Sequence, residues 1–366
     1  MKAAVQHGRR DVRIEEVPQP EIGPGELLVR TAIAGICGTD AHEYAHGPNM
    51  FPIANKHPVS GHQGPMIPGH EFSGFVEKVG PDVTGFRVGD LIVSGAGISC
   101  GDCKWCVSQR TNLCAMYFTI GLHRDGALAE YVNVPASTCV KANDYGLDPD
   151  VAALGQPMSI AVHAYRRSRL QTGETAVIIG AGGIGAFLTF VVAQAGGWLL
   201  TTDVDASRLE IAQKLGATAV VDPRQQGAMA EFQQDPMEFV NVIFEVSGTE
   251  SGMALALDLA TRGTRIVLVG LHSAPYSLDL RDISLREIEI IGTNAHVVAV
   301  DLPEALRLLS LRSEGWADVA PEVLSLSDLI SHGLEPLADR QSVRIKTLID
   351  PWAQVTRPTQ SQGVTL

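Results

Sequence analysis

Basic residues are scarce in this chain: 28 lysines and arginines stand against 41 aspartates and glutamates, a formal charge of −13. Nucleic acid and anionic membranes are recognised through clustered Lys and Arg. The nearest approach to a basic run, Arg166-Arg167-Ser168-Arg169, reads as a solvated helix end, so both partner classes are excluded. Long apolar runs are also lacking. The longest, such as Ala176 to Ile184, are broken by glycine and read as buried strands entering turns, so no membrane span is expected. The opening MKAAVQHGRR lacks the apolar core of a secretory signal, which makes the cytoplasm the expected location. Six cysteines in 366 residues are too few to staple a chain of this size. Four of them crowd between positions 100 and 114, a spacing that belongs to a metal rather than to disulfides.

What is present is globular: 45% hydrophobic and 19% charged residues, in a length suited to two domains. Residues 1 to about 150 are dense in Gly and Pro with short apolar alternations, the texture of an irregular β-rich unit. The segment from Ala45 to Gly64 reads as a long Pro-rich surface loop whose histidines, His46, His57 and His62, are expected to be solvated, a substrate contact by one of them being the alternative. Past Asp150 strands and helices alternate, with strands expected at Ala176–Ile179, Trp198–Thr202, Ala219–Val221, Val242–Phe244, Arg265–Val269 and Ile288–Ile291. The fold class is therefore α/β, a doubly wound parallel sheet joined to a β-rich domain. The expected division is 1–152 with 295–366 in the β-rich domain and 153–294 in the parallel-sheet domain. The polar tail after Pro351 is expected to be loose.

The strand ending at Ile179 runs into Gly180-Ala181-Gly182-Gly183-Ile184-Gly185 and then an apolar helix, the setting that gives G-x-G-x-x-G its meaning. Gly180 permits the tight turn, Gly182 lets the backbone approach a pyrophosphate, and Gly185 lets helix and strand pack closely. The next strand ends at Asp203, where a carboxylate can accept the adenosine ribose hydroxyls and repel the extra phosphate of NADP. NAD is the expected cofactor. Asp205 is the better candidate for capping the following helix. Arg208, Val269, Gly270, Thr293 and Asn294 are also assigned to the cofactor site.

Cys100-x2-Cys103-x2-Cys106-x7-Cys114 offers four thiolates, a closed tetrahedral zinc shell with structural work only, on a loop of about 97–115. A second group, Cys37 with Thr39, Asp40 and His42, and His70 with Glu71, has the makings of an open zinc site, although single Cys and His residues are commonly structural. Cys139 reads as a small buried residue.

Together these stretches resemble the zinc-dependent medium-chain dehydrogenase/reductase superfamily, and within it the 2,3-butanediol and sorbitol-type polyol branch. The residues carrying the likeness are Gly35 to Glu43 (GICGTDAHE), Gly69 to Gly74 (GHEFSG), the cysteine quartet, Gly126 to Tyr131 (GALAEY) and Gly180 to Gly185. The resemblance implies a GroES-like catalytic domain interrupted by a Rossmann domain, with the active site in the cleft between them and a dimeric or tetrameric assembly. It implies a catalytic zinc on Cys37, His70 and Glu71, with Asp40 orienting an imidazole and Thr39 and His42 relaying a proton. The implied reaction moves hydride between NAD and a secondary alcohol or ketone, such as a vicinal diol, acyloin or small polyol. An amino alcohol, threonine or bulky ketone is the alternative, and the loop at 45–64 with Met116-Tyr117-Phe118 is expected to decide. One position departs from the branch: Gln156 stands where a glutamate ligates zinc or holds its water. A neutral amide still coordinates weakly or accepts a hydrogen bond, but it brings no charge. The reading of Gln156 is an active enzyme with altered metal affinity or substrate choice; the rival is a zinc- and NAD-binding homologue without useful turnover. Arg344 and Lys346 fall where relatives place a cation near the cofactor phosphates, and a solvated strand face is the other option.

Overall fold

The computed structural model describes residues 1–229 and 239–360. Two compact units divide the chain, Met1–Ser159 with His296–Leu366, and Ile160–Ala295. Among the described residues, no helix is long and apolar enough to cross a membrane.

The first unit is built on an eight-stranded sheet. Its spine is the long strand Glu26–Ile36, paired antiparallel with Glu71–Val79, Tyr131–Pro135 and Thr347–Asp350. Buried side chains such as Leu27, Val29, Phe72, Val76, Ile92, Leu128 and Ile349 form its core. The register matters for function: Gly35 lies opposite Glu71, and Ile36 opposite Thr347. Three sequence-distant segments thus end at one point.

Two departures from the sequence reading occur here. The stretch read as all-β contains a helix, Gly38–His46, whose N-terminus is closed by reciprocal bonds between Cys37 and Asp40. Short-range side-chain capping of this kind competes with the surrounding β texture. The tail after Pro351 is also held rather than loose over its described part. Arg357–Pro358 pairs with Glu322–Ser325, and the Arg357 guanidinium clamps the buried Asp150 carboxylate through two bonds of 2.7 Å. A charge-assisted bidentate pair of this kind was invisible to composition.

The second unit has six parallel strands in the order Ala219–Val221, Leu199–Thr202, Ala176–Ile179, Val242–Glu245, Arg265–Leu268, Glu289–Gly292. The strands expected from sequence all form. Strand order reverses between Ala176–Ile179 and Val242–Glu245, the place where such sheets receive ligands at their C-terminal ends.

Candidate active site

In the second unit, the glycine turn links Ala176–Ile179 to the helix Gly183–Ala195. Gly180 has φ of +102°, and a Cβ on Gly185 would stand 1.8 Å from the Gly180 carbonyl oxygen. No other residue fits that approach. Gly182 caps the helix without a side-chain bond, so the first helical N–H groups stay available to an anion. Asp203 is buried and doubly anchored: Oδ2 accepts from Ala181 N at 2.7 Å and Oδ1 from Asp205 N at 2.9 Å. Asp205 caps its helix, accepting from Ser207 N and Arg208 N. Arg208 reaches over the turn, with one guanidinium nitrogen 4.0 Å from Asp203 Oδ2, and its buried Nε, 4.0 Å from Asp205 Oδ2, makes no hydrogen bond. Val269, Gly270, Thr293 and Asn294 follow the C-terminal ends of the strands Arg265–Leu268 and Glu289–Gly292. The turn, the anchored carboxylate and the waiting cation suit a dinucleotide.

In the first unit, sheet register brings Cys37, His70 and Glu71 together, with one ligand atom of each within 4.8 Å of the others. Gly35 leaves room for the carboxylate, since a Cβ there would lie 2.8 Å from Glu71 Oε2. Asp40 divides its work. Oδ2 accepts from Cys37 N at 2.8 Å, while Oδ1 faces His70 Nδ1 at 3.6 Å, and both of those facing atoms are buried without a hydrogen bond. Burial would pull the His70 pKa down, but the charges of Asp40 and Cys37 outweigh it and raise it well above the ordinary value. So anionic a pocket suits a divalent cation, for which soft thiolate, imidazole and carboxylate are a fitting donor set. Thr39 Oγ1 lies 3.7 Å from Cys37 Sγ, and His42, one turn along the same helix, is exposed. Gln156 lies in the first turn of the helix Gly155–Ser168 and is buried; its backbone carbonyl oxygen accepts from Ser159 Oγ at 2.6 Å.

Lys346 is a correction. It is neither solvated nor free: its ammonium is buried, 2.5 Å from Glu71 Oε2 and 3.3 Å from the Ile36 carbonyl oxygen. Burial opposes its charge, and the negative groups Glu71, Cys37 and Asp40 more than restore it, raising its pKa. Arg344 pairs with Glu322 and the His332 carbonyl.

The four remaining cysteines named by spacing also meet. Sulfur separations of 3.4 Å (Cys100–Cys114), 3.6 Å (Cys103–Cys106) and 3.9 Å (Cys100–Cys106) are far too long for disulfides. They match the edges of a tetrahedron with zinc–sulfur bonds of about 2.3 Å. The Cys106 backbone N–H brings the Cys103 thiol down to about 6, ready to ligate. Cys139 is half-buried rather than fully buried as read from sequence, and desolvation pushes its thiol up to about 12.

The loop after the helix Gly38–His46 is more ordered than its composition suggests. His57 stacks on His123 with ring centroids 4.5 Å apart and lies 6.3 Å from the Phe118 ring, so the two segments expected to shape specificity do touch. Buried Glu43 accepts backbone N–H groups from Asn49 and Met50 at 2.8 and 2.9 Å.

A β-rich unit with two metal-ligand clusters, joined in one chain to a parallel sheet with a glycine turn, defines a metal-binding, dinucleotide-dependent oxidoreductase. The chain belongs to the zinc-binding alcohol dehydrogenase family: residues 23–144 match the alcohol dehydrogenase GroES-like domain and 183–310 the zinc-binding dehydrogenase domain. It is 34% identical to sorbitol dehydrogenase of Bacillus subtilis over 80% of this chain and 81% of that protein. It is 30% identical to (R,R)-butanediol dehydrogenase of Neisseria gonorrhoeae over 96% and 99%, and 33% identical to L-threonine 3-dehydrogenase of Solibacter usitatus over 85% and 87%. The crystal structure of 2R,3R-butanediol dehydrogenase from Bacillus subtilis superimposes with a TM-score of 0.87 at 30% identity, covering 96% of this chain and 99% of that one. A zinc-binding dehydrogenase from Sinorhizobium meliloti, solved with NADP, superimposes at 0.82 with 29% identity and the same coverage of both chains. An Escherichia coli alcohol dehydrogenase solved with NADH gives 0.84 at 25% identity, again with 96% and 99% covered.

Proposed function

We propose that this enzyme oxidises a vicinal diol or small polyol at a secondary carbinol with NAD, and reduces the matching ketone. The observation that carries this is the meeting of Cys37, His70 and Glu71 at one sheet end, in a chain similar along nearly its whole length to a butanediol dehydrogenase. When bound, zinc supplies a Lewis acid that acidifies the substrate hydroxyl, and NAD supplies the hydride acceptor. The chain does the rest. Cys37, His70 and Glu71 hold the ion, and the thiolate and carboxylate balance its charge, so a neutral Gln156 is tolerated beside it. Asp40 orients the His70 ring. Thr39 and His42, at i and i+3 on one helix, take the released proton to solvent. Asp203, with both oxygens fixed by backbone N–H groups, presents its remaining lone pairs to the adenosine ribose and disfavours a phosphate there. The cysteine quartet, Cys100, Cys103, Cys106 and Cys114, would hold a second zinc that staples its loop.

The similarity to L-threonine 3-dehydrogenase favours a second reading, an amino alcohol substrate. Against it, the charged groups resolved around the metal ligands are spoken for: Lys346 holds Glu71, and Asp40 closes its helix. The edge strand Glu289–Gly292, beside exposed Leu271, Leu280 and Leu285, suits pairing with a second copy of the chain. The deciding experiment is a panel of 2,3-butanediol stereoisomers, sorbitol, threonine and simple amino alcohols followed by NADH absorbance. Preference for threonine by kcat/KM would overturn the diol reading.

A further inference from the structure

Glu245 is fully buried at the C-terminal end of Val242–Glu245, directly beside the point where strand order reverses. Nothing in the proposed chemistry uses it, yet its side chain and its carbonyl are both held by several bonds. Its side chain takes Ser247 N at 3.0 Å and the Ser247 hydroxyl on Oε1, and Gly248 N at 3.2 Å on both oxygens. Oε2 also takes His272 Nε2 at 2.9 Å. Its carbonyl oxygen, meanwhile, accepts from Val269 N at 2.8 Å and Gly270 N at 2.9 Å. One residue therefore grips two crevice segments, 247–248 and 269–272, from both its backbone and its side chain.

The segments it grips are packed without slack. A Cβ on Gly270 would stand 2.2 Å from Gly248 N, and a Cβ on Gly180 of the glycine turn would stand 3.1 Å from Ser247 N. Any drift of 247–248 would therefore press on the turn, and any drift of 269–272 would press on 247–248. A dinucleotide lies across the switch point, with its adenosine half on the Asp203 side. The strands Val242–Glu245 and Arg265–Leu268 lie on the other side, beneath the nicotinamide half. A buried carboxylate close to an anionic cofactor is also an electrostatic liability unless a donor or cation answers it. His272, whose side chain is 20% exposed, is the only charged or chargeable partner that Glu245 shows among the described residues.

We propose that Glu245 and His272 form a clasp that sets the nicotinamide-side wall of the cofactor site, with His272 as a positioning residue for that half of the dinucleotide. The inference rests on the cofactor reading given above. His272→Ala leaves Glu245 its Ser247 and Gly248 donors and its carbonyl bonds to Val269 and Gly270, but releases position 272 from the carboxylate. His272→Gln restores a neutral donor of similar reach.

The test uses the zinc-loaded full chain and two probes, NADH followed by fluorescence and 5′-AMP followed by calorimetry. Losing the net contribution of one typical hydrogen bond predicts NADH binding weaker by about five- to tenfold in His272→Ala. Affinity for 5′-AMP is expected to stay within about twofold, because Asp203 and the glycine turn keep their own contacts; the Gln variant is expected to recover most of the NADH loss. Equal weakening of both probes would show a general disturbance of the unit and overturn the clasp, as would unchanged NADH affinity in the Ala variant. If the unaltered protein binds neither probe, the cofactor reading itself fails, a result distinct from either.

Discussion

Lys346 and Glu71 place opposite charges 2.5 Å apart at a buried point that also holds two candidate metal ligands. In the metal-free protein the ammonium is the main cation available to Glu71; with zinc on the proposed ligands, the ion would share that carboxylate. The two states should therefore respond differently to removal of the lysine. Stripping one partner from a buried pair costs about 3 to 5 kcal/mol, chiefly because the other charge is left unanswered. Lys346→Met is expected to lower the melting temperature of chelator-treated protein strongly and that of zinc-loaded protein much less, widening the gap between them. Calorimetry on both forms reads this directly. An equal drop in the two forms would mean that Glu71 leans on Lys346 whether or not metal is present.

At the scale of elements, the helix Gly38–His46 and the loop behind it form a single device. Glu43 fixes the near end of the loop through the Asn49 and Met50 amides, and the His57–His123 stack fixes the far end. Both rings use Nδ1 as an acceptor, His57 from Ser60 N at 3.0 Å and His123 from Thr119 N at 3.0 Å, and for His123 that bond requires the neutral form. Burial, and then the neighbouring His57, lower the His123 pKa from 6.5 to about 4, against a smaller opposing pull from Glu43. Above pH 6.5 the ring is neutral folded or unfolded, and its contribution is complete. As pH falls from 6.5 towards 4 the unfolded chain takes the proton first, so stability is lost across that window and levels off below it. Hydrogen exchange at 57–62 is expected to quicken over this range, and His123→Phe, which keeps a stacking ring but cannot titrate, is expected to flatten the response. This loop also shows where sequence reading stopped. The glycine turn, the Asp203 position and the cysteine quartet were legible because each is set by spacing within one short segment. His123 against His57, Arg357 against Asp150 and His272 against Glu245 depend on which segments the sheets bring side by side. Lys346 bonds a carbonyl 310 residues away, and no local pattern encodes that meeting.

For the whole molecule, the chemistry divides along the same line as the contacts. Every candidate metal ligand lies in Met1–Ser159, while the glycine turn, Asp203, Arg208 and the Glu245 clasp all lie in Ile160–Ala295. The cofactor residues are tied to one another by backbone and side-chain bonds that include no metal ligand. Zinc removal should therefore silence the enzyme without disarming its cofactor site. The two ligand groups should also empty in turn. Four thiolates would fill the coordination shell of their ion, whereas the proposed Cys37–His70–Glu71 set would leave a position open through which a chelator can work. Intact protein is expected to carry about two zinc ions per chain. Brief treatment with a chelator should remove one of them together with the dehydrogenase activity, leaving NADH affinity within about twofold, since no bond to the dinucleotide is lost. Metal analysis, turnover and NADH fluorescence on the same sample distinguish the outcomes. Loss of NADH binding in step with the first zinc would tie cofactor capture to the metal centre and refute the division of labour drawn from the contacts. Retention of full activity after that zinc has left would remove Cys37, His70 and Glu71 from the reaction.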